Sequence, residues 1–236
     1  MKVLIIGATH GNELLGTKLY ARLLQKRSPL LGHVDFIVGN PRAYAARQRY
    51  INCDLNRSYQ SHGTKYEERR AREIERYIAR TQPDLILDMH TTSCEQPNCL
   101  ILGSLRGDMK RRLLRASHIG HLLQVQPMGD IATLGDNVVG YEVPNRNITN
   151  QLLDDIAADL QRLVDNVGGY ERKKLYVMSD KIYKKDVTPE QVATFVNFEM
   201  HDTLGFVPIM TGEYSYKRQT DYLGFKSPAP QEIMVQ

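Results

Sequence analysis

Short apolar runs alternate with amphipathic stretches along the first two thirds of this chain, and few folds accommodate that rhythm. The apolar runs cover residues 2–7, 34–38, 84–89, 100–102 and 138–143. They are too short for helices that must bury a face and rich in Val, Ile and Leu, as strands covered on both sides are. Between them the spacing predicts helices over residues 13–26, 65–81, 110–123 and 149–164. In the last of these, Leu152, Leu153, Ile156, Leu160, Leu163 and Val164 repeat helically, and Thr149 stands where an N-cap belongs. Residues 42–59 are polar and without period, and read as an ordered loop. Strands alternating with helices predict an α/β domain built on a mostly parallel mixed sheet flanked by helices.

The texture changes after Gly168 and Gly169. Residues 174–178 and 182–183 look like short strands, and the chain from Phe195 onward is rich in Phe, Tyr, Gly and Pro. The reading is therefore a domain over residues 1–168 and a small β-rich C-terminal domain over residues 169–236.

Composition narrows the function classes. No run approaches the roughly 20 apolar residues of a membrane-spanning helix. The apolar start turns polar at Thr9, His10, Asn12 and Glu13, which suits a buried first strand better than a secretory signal. The three cysteines, Cys53, Cys94 and Cys99, show no C-x-x-C spacing, so reduced thiols and a cytoplasmic location are expected. A scattered net charge of +4 speaks against a nucleic-acid partner and suits a small anionic substrate. Homo-oligomerisation is left open.

Three residues stand where chemistry belongs. In an open α/β sheet, ligands bind at the carboxyl ends of strands. The first strand runs into Gly7-Ala8-Thr9-His10-Gly11-Asn12-Glu13, and the third ends on His90. Two imidazoles and one carboxylate are the usual protein ligands of a catalytic zinc that keeps a position open for water. Each residue alone has a plainer reading. A strand-end histidine is more often a hydrogen-bonded structural residue, and Glu13 suits the first turn of any helix. Their coincidence at one sheet edge favours a metal.

The motifs also form an ordered set. His10-Gly11-Asn12-Glu13 resembles the HxxE zinc motif of the aspartoacylase/succinylglutamate desuccinylase family, relatives of the zinc carboxypeptidases. Asn40-Pro41-Arg42, Arg49-Tyr50 and Asp54-Leu55-Asn56-Arg57 resemble that family's NPRA…RY…DLNR block. Asp88-Met89-His90-Thr91-Thr92 resembles its D-[LM]-H-x-T strand end, and Tyr141-Glu142-Val143-Pro144 its I-E-V-G-P segment.

The resemblance implies a zinc carboxypeptidase-like fold and a deacylase acting on a small anionic N-acyl amino acid. It implies one Zn(2+) per chain, held by His10, Glu13 and His90, with Glu142 as general base. It implies that Arg49 steadies the oxyanion, and that Asn56 and Arg57 grip a substrate carboxylate. Asp54 and Asp88 would orient the ligand imidazoles. Tyr216, in a Glu213-x-x-Tyr216 stretch, would reach the substrate carboxylate, with Tyr214 as its rival.

The pattern departs from the family in two places. No glycine separates Val143 from Pro144, and no Lys or Arg lies between Met128 and Glu142, where aspartoacylases carry a further arginine. Cys94 and Cys99 read as residues of a loop leading to the next strand, and His118 and His121 as helix-surface residues.

Other classes fit less well. A dinucleotide-binding turn would need glycine where His10 stands, and Glu13 would repel phosphate. A non-catalytic relative would be expected to have lost a ligand or the base. A peptidase that takes a terminal carboxylate remains compatible with the arginine block.

Overall fold

The computed structural model describes the backbone of residues 1–236, with the side chains of all but Arg218 and Gln219. Its centre is an eight-stranded sheet. Strand β1 (Val3–Gly7) lies between β2 (Val34–Val38) and β3 (Leu85–Thr92), parallel to both. The sheet continues through β6 (Val138–Pro144), β4 (Cys99–Leu102), β5 (His121–Gln124), β7 (Arg172–Val177) and β11 (Gln231–Met234). The β6–β4 and β7–β11 pairs are antiparallel and the other five are parallel, so the sheet is mixed and mostly parallel. Strands β7 and β11 come from beyond residue 168, so the C-terminal part shares this sheet. It also forms a separate antiparallel sheet from β8 (Asp180–Tyr183), β10 (Tyr222–Ser227) and β9 (Val207–Ile209).

Alternation of side chains sorts the strand residues onto two faces. One face presents Val3, Ile5, Leu85, Leu87, Met89, Val139 and Tyr141, all buried in the largest apolar cluster. Helices α1 (Leu15–Gln25), α4 (Asp108–Ala116) and α5 (Asn150–Val164) cover it. Their stripes of Leu15, Leu19, Leu23, Leu113, Leu153, Ile156 and Leu160 supply the other half of the core. Each such side chain stabilises the fold by roughly 1.5–3 kcal/mol before the entropy of ordering is counted.

The opposite face is covered in two separate patches. Ala71 and Ile74 of α3 (Tyr66–Thr81) pack on Leu4, Ile6, Ile86 and Val138. Val207, Ile209 and Phe225 of the small sheet pack with Cys99, Leu123 and Tyr176. Between the patches lies a cleft floored by Asp88, His90, Gly140, Glu142 and Ile101. Hence β1 and β3 are buried along their whole length, whereas the edge strand β11 is mostly exposed.

Two sequence expectations are corrected. The helix expected over residues 110–123 ends at Ala116, and His121–Gln124 forms β5. The break comes from Asp159 of α5, whose carboxylate accepts the Ser117 hydroxyl and the His118 N–H and draws the chain away from α4. His118 and His121 are therefore not helix-surface residues. His118 pairs with buried Asp159, and His121 stacks against Tyr176 and meets Phe198 edge-on. The loop over residues 42–59 contains a short helix, α2 (Pro41–Ala46), capped by the Asn40 side chain, which accepts Ala43 N–H. Among the described residues no helix is long and apolar enough to cross a membrane.

Candidate metal centre and substrate cleft

The His-Gly-Asn-Glu turn joins β1 to α1 at the sheet's carboxyl edge. Thr9 Oγ1 donates to Asp88 Oδ1 at 2.6 Å, tying the turn to β3. Gly11 is required by packing. A Cβ there would lie 2.0 Å from the Ala43 carbonyl carbon, so α2 rests directly on this turn.

The turn and β3 bring His10, Glu13 and His90 together, each buried, with one ligand atom apiece within 4.8 Å of one another. His10 Nδ1 lies 2.7 Å from Glu13 Oε1, and His90 Nδ1 lies 2.9 Å from Glu13 Oε2. The far nitrogen of each imidazole meets another carboxylate. His10 Nε2 is 3.0 Å from Asp54 Oδ1, and His90 Nε2 is 2.7 Å from Asp88 Oδ2. The second of these reflects their common strand face, two residues apart.

This donor set fits a divalent metal. With each imidazole donating Nε2–H to Asp54 or Asp88, both Nδ1 lone pairs would face Glu13. Those lone pairs and a carboxylate repel one another unless a cation lies between them. Two imidazoles and a carboxylate with outer carboxylates behind the rings suit zinc in charge, ligand type and number. Without a metal the same repulsion is relieved by protons. Although burial opposes the charge, Glu13 and Asp54 hold the His10 pKa above its ordinary value, and Asp88 and Glu13 hold His90 well above. Glu13 is also buried, yet His10 and His90 keep it well below the carboxylate range.

Glu142 enters from β6. It is the register partner of His90 on one side and of Cys99 on the other, so its side chain shares the cleft face. Burial, and then the nearby Glu13 carboxylate, push its pKa up to about 8, against the pull of His90. A carboxyl poised near neutrality suits a group that must take up and return a proton.

The 42–59 segment supplies the facing wall. Arg49 Nη1 donates to Glu13 Oε1 at 3.3 Å and Nη2 to Asp54 Oδ2 at 3.4 Å. Both contacts are long and the side chain is 31% exposed, so the guanidinium can still turn to a ligand. Asn56 Oδ1 is buried with no partner among the described residues, and Arg57 sits exposed beside it on the cleft wall. The structure thus brings His10, Glu13, His90, Glu142, Arg49, Asn56 and Arg57 to one cleft.

Tyr216 lies on the short helix Tyr214–Gln219, lines the cleft and packs on Tyr222 and Phe225, whereas Tyr214 is 66% exposed. Glu213 also lines the cleft, and the sequence reading gave it no role. Its Oε2 accepts the Thr92 hydroxyl at 2.7 Å and the Ser93 N–H and hydroxyl, both at 2.8 Å. The only signal in the chain was its place three residues before Tyr216. Beyond His10, Glu13 and His90 the cleft wall turns apolar, with Ile101, Val125, Ile131, Ala132, Val138 and Met178.

A mixed sheet carrying an H-x-x-E turn on one strand end and a histidine on the next has the zinc carboxypeptidase-like fold. The crystal structure of murine aminoacylase 3 superposes with a TM-score of 0.73 at 21% identity, covering 100% of this chain and 97% of that one. The family description "Succinylglutamate desuccinylase/Aspartoacylase catalytic domain" matches residues 1–166, and the chain belongs to that family. Mouse aspartoacylase is 37% identical over 123 residues, spanning 45% of this chain and 39% of that protein. The N-acyl-aromatic-L-amino acid amidohydrolase (carboxylate-forming) of Xenopus laevis is 34% identical over 120 residues, spanning 45% and 39%. The matches span less than half the length of these curated relatives.

Proposed function

We propose that the chain is a zinc-dependent amidohydrolase that cuts the amide bond of a small N-acyl amino acid, releasing a carboxylate and a free amine. The observation that carries this reading is the convergence of His10, Glu13 and His90 with Glu142 directly across the strands from His90. One zinc ion per chain, held by those three residues, supplies Lewis acidity and lowers the pKa of a water molecule toward about 7.

The chain's own residues then divide the remaining work. Glu142 accepts the water proton and returns it to the amide nitrogen as the C–N bond breaks. Burial and the Glu13 carboxylate raise its pKa above the usual carboxylate range, so it is a strong enough base to hold the proton until the amide nitrogen takes it. Arg49 turns from its long contacts to meet the negative charge that develops on the carbonyl oxygen. Arg57, with Asn56 beside it, takes the carboxylate of the amino acid, and the Tyr216 hydroxyl closes over it from the helix Tyr214–Gln219.

The apolar wall favours a substrate with a single carboxylate and an apolar side chain. The lining residues from Val125 to Gly140 include Asp130 and no Lys or Arg. A second substrate carboxylate, as in an acylated aspartate, would find no cation there. The Xenopus laevis relative is named for activity on N-acyl-aromatic amino acids, which points the same way.

The test is elemental analysis of untagged protein, followed by parallel hydrolysis of N-acetylphenylalanine, N-acetylaspartate and a dipeptide. About one zinc per chain, with N-acetylphenylalanine cleaved fastest, is expected. Fastest cleavage of the dipeptide would make the chain a peptidase. Zinc without turnover would make it a binding protein on the same scaffold.

A further inference from the structure

Behind Arg49 stands a buried carboxylate that the chemistry above does not use. Glu67, in the first turn of α3, is completely buried. It has no salt-bridge partner among the described residues. Its oxygens are held by the loop instead. Oε1 accepts Ile51 N–H at 2.7 Å, Oε2 accepts Asn52 N–H at 3.1 Å, and Oε2 accepts Cys53 N–H at 3.2 Å. Asn40 Nδ2 adds a fourth donor at 3.2 Å. Three consecutive backbone N–H groups aimed at one anion form a concave cradle, and here the anion belongs to the protein.

The geometry points to Glu67 as a positioning residue for Arg49, shaping the 49–53 segment so that the guanidinium faces the metal ligands. This inference rests on the hydrolase reading. The segment is fastened at two places only a few residues apart. Arg49 O accepts Gly11 N–H at 3.1 Å on the metal side, and Glu67 holds the next turn from behind. Asp54, which follows directly, meets His10.

Two plainer roles fit less well. Capping of α3 is served by the neighbouring Glu68, whose Oε2 accepts Lys65 N–H at 2.7 Å. A core-stabilising role is a poor fit because Ile51 and Asn52 are exposed. Loss of the carboxylate would therefore loosen a surface segment while the core strands stay packed.

The test is Glu67→Gln, which keeps size and removes the charge and one acceptor. Its zinc content is expected to match wild type, with kcat reduced at least tenfold. Hydrogen exchange across residues 49–54 should rise while the core strands stay protected. In an Arg49→Ala background the same substitution should cost less than threefold, because the group it positions is gone. Equal losses in both backgrounds, or unchanged exchange at residues 51–53, would overturn the inference. If the wild type cleaves no N-acyl amino acid, the hydrolase reading fails, and the exchange measurement alone decides whether Glu67 holds the loop.

Discussion

His90 and Glu142 are register partners on adjacent parallel strands, β3 and β6, and their side chains emerge on the same face of the sheet. Neighbouring strands lie about 4.8 Å apart, so the backbone itself delivers an imidazole and a carboxyl group to one place. A slip of one residue in either strand would turn its functional group into the helix-covered core. The same pairing sets Asp88 opposite Gly140, whose missing side chain leaves room beside Ile101.

This arrangement separates two losses. His90→Ala is expected to abolish both zinc binding and hydrolysis. Glu142→Gln is expected to keep about one zinc per chain and lose roughly 10²–10⁴-fold in kcat, the range for removing a general base. Metal analysis and turnover on the same preparations check this. Equal zinc in wild type and His90→Ala would remove His90 from the site.

Zinc uptake should release protons. His10 and His90 are held above the ordinary imidazole pKa by carboxylates on both sides, so in metal-free protein they keep their protons to higher pH than free imidazoles do, and a metal must displace those protons. Apparent affinity is therefore expected to fall as pH drops from 8 to 6. Calorimetry in two buffers of different ionisation enthalpy measures the release, expected at about one to two protons per zinc. Identical heats in both buffers would contradict the protonated pair.

Gly11→Ala tests how the wall formed by residues 42–59 is seated. The new Cβ would meet the Ala43 and Tyr44 backbone at 2.0–2.4 Å, and backbone cannot step aside as a side chain can. A loss of about 1–3 kcal/mol is expected in denaturant unfolding, the range for overpacked sites. Activity should fall further, since the Gly11–Arg49 backbone bond is displaced. A fully stable, fully active variant would show that α2 does not rest on this turn.

Lys173 offers a pH test away from the cleft. Its buried ammonium donates to Ser117 O at 2.6 Å and Ile119 O at 2.9 Å, and burial pulls its pKa down to about 8. The unfolded chain keeps that proton up to about pH 10.4. Between the two values the unfolded state binds more protons, so stability rises with pH, and it is lost as pH falls toward 8. Denaturant unfolding from pH 7.5 to 10 should show this rise for wild type relative to Lys173→Met. Parallel curves would mean that the group is not desolvated.

Much of the site was legible because its signals are local. A glycine-ended strand, an H-x-x-E turn and a strand closing on histidine each lie within a few residues, and strand ends are where α/β sheets place ligands. Asp54 and Asp88 could be named as partners of the histidines, Asp88 from strand parity alone. Helices α1 and α5 followed from the period of their leucines. The end of α4 did not, because Leu113, Leu114, Leu122 and Leu123 suit a longer helix equally well. Asp159, over 40 residues away, decides that boundary.

The tertiary structure decided whatever depends on hydrogen bonds between distant segments. Glu67 reads as an ordinary first-turn glutamate until the 51–53 amides are seen to fold around it. Glu213 gains meaning only where it meets Thr92, 121 residues earlier. Strands β7 and β11 join the large sheet through edge pairings that no local pattern encodes. Side-chain periodicity tells which face of an element is buried, but the partner that covers it is chosen by the whole chain at once.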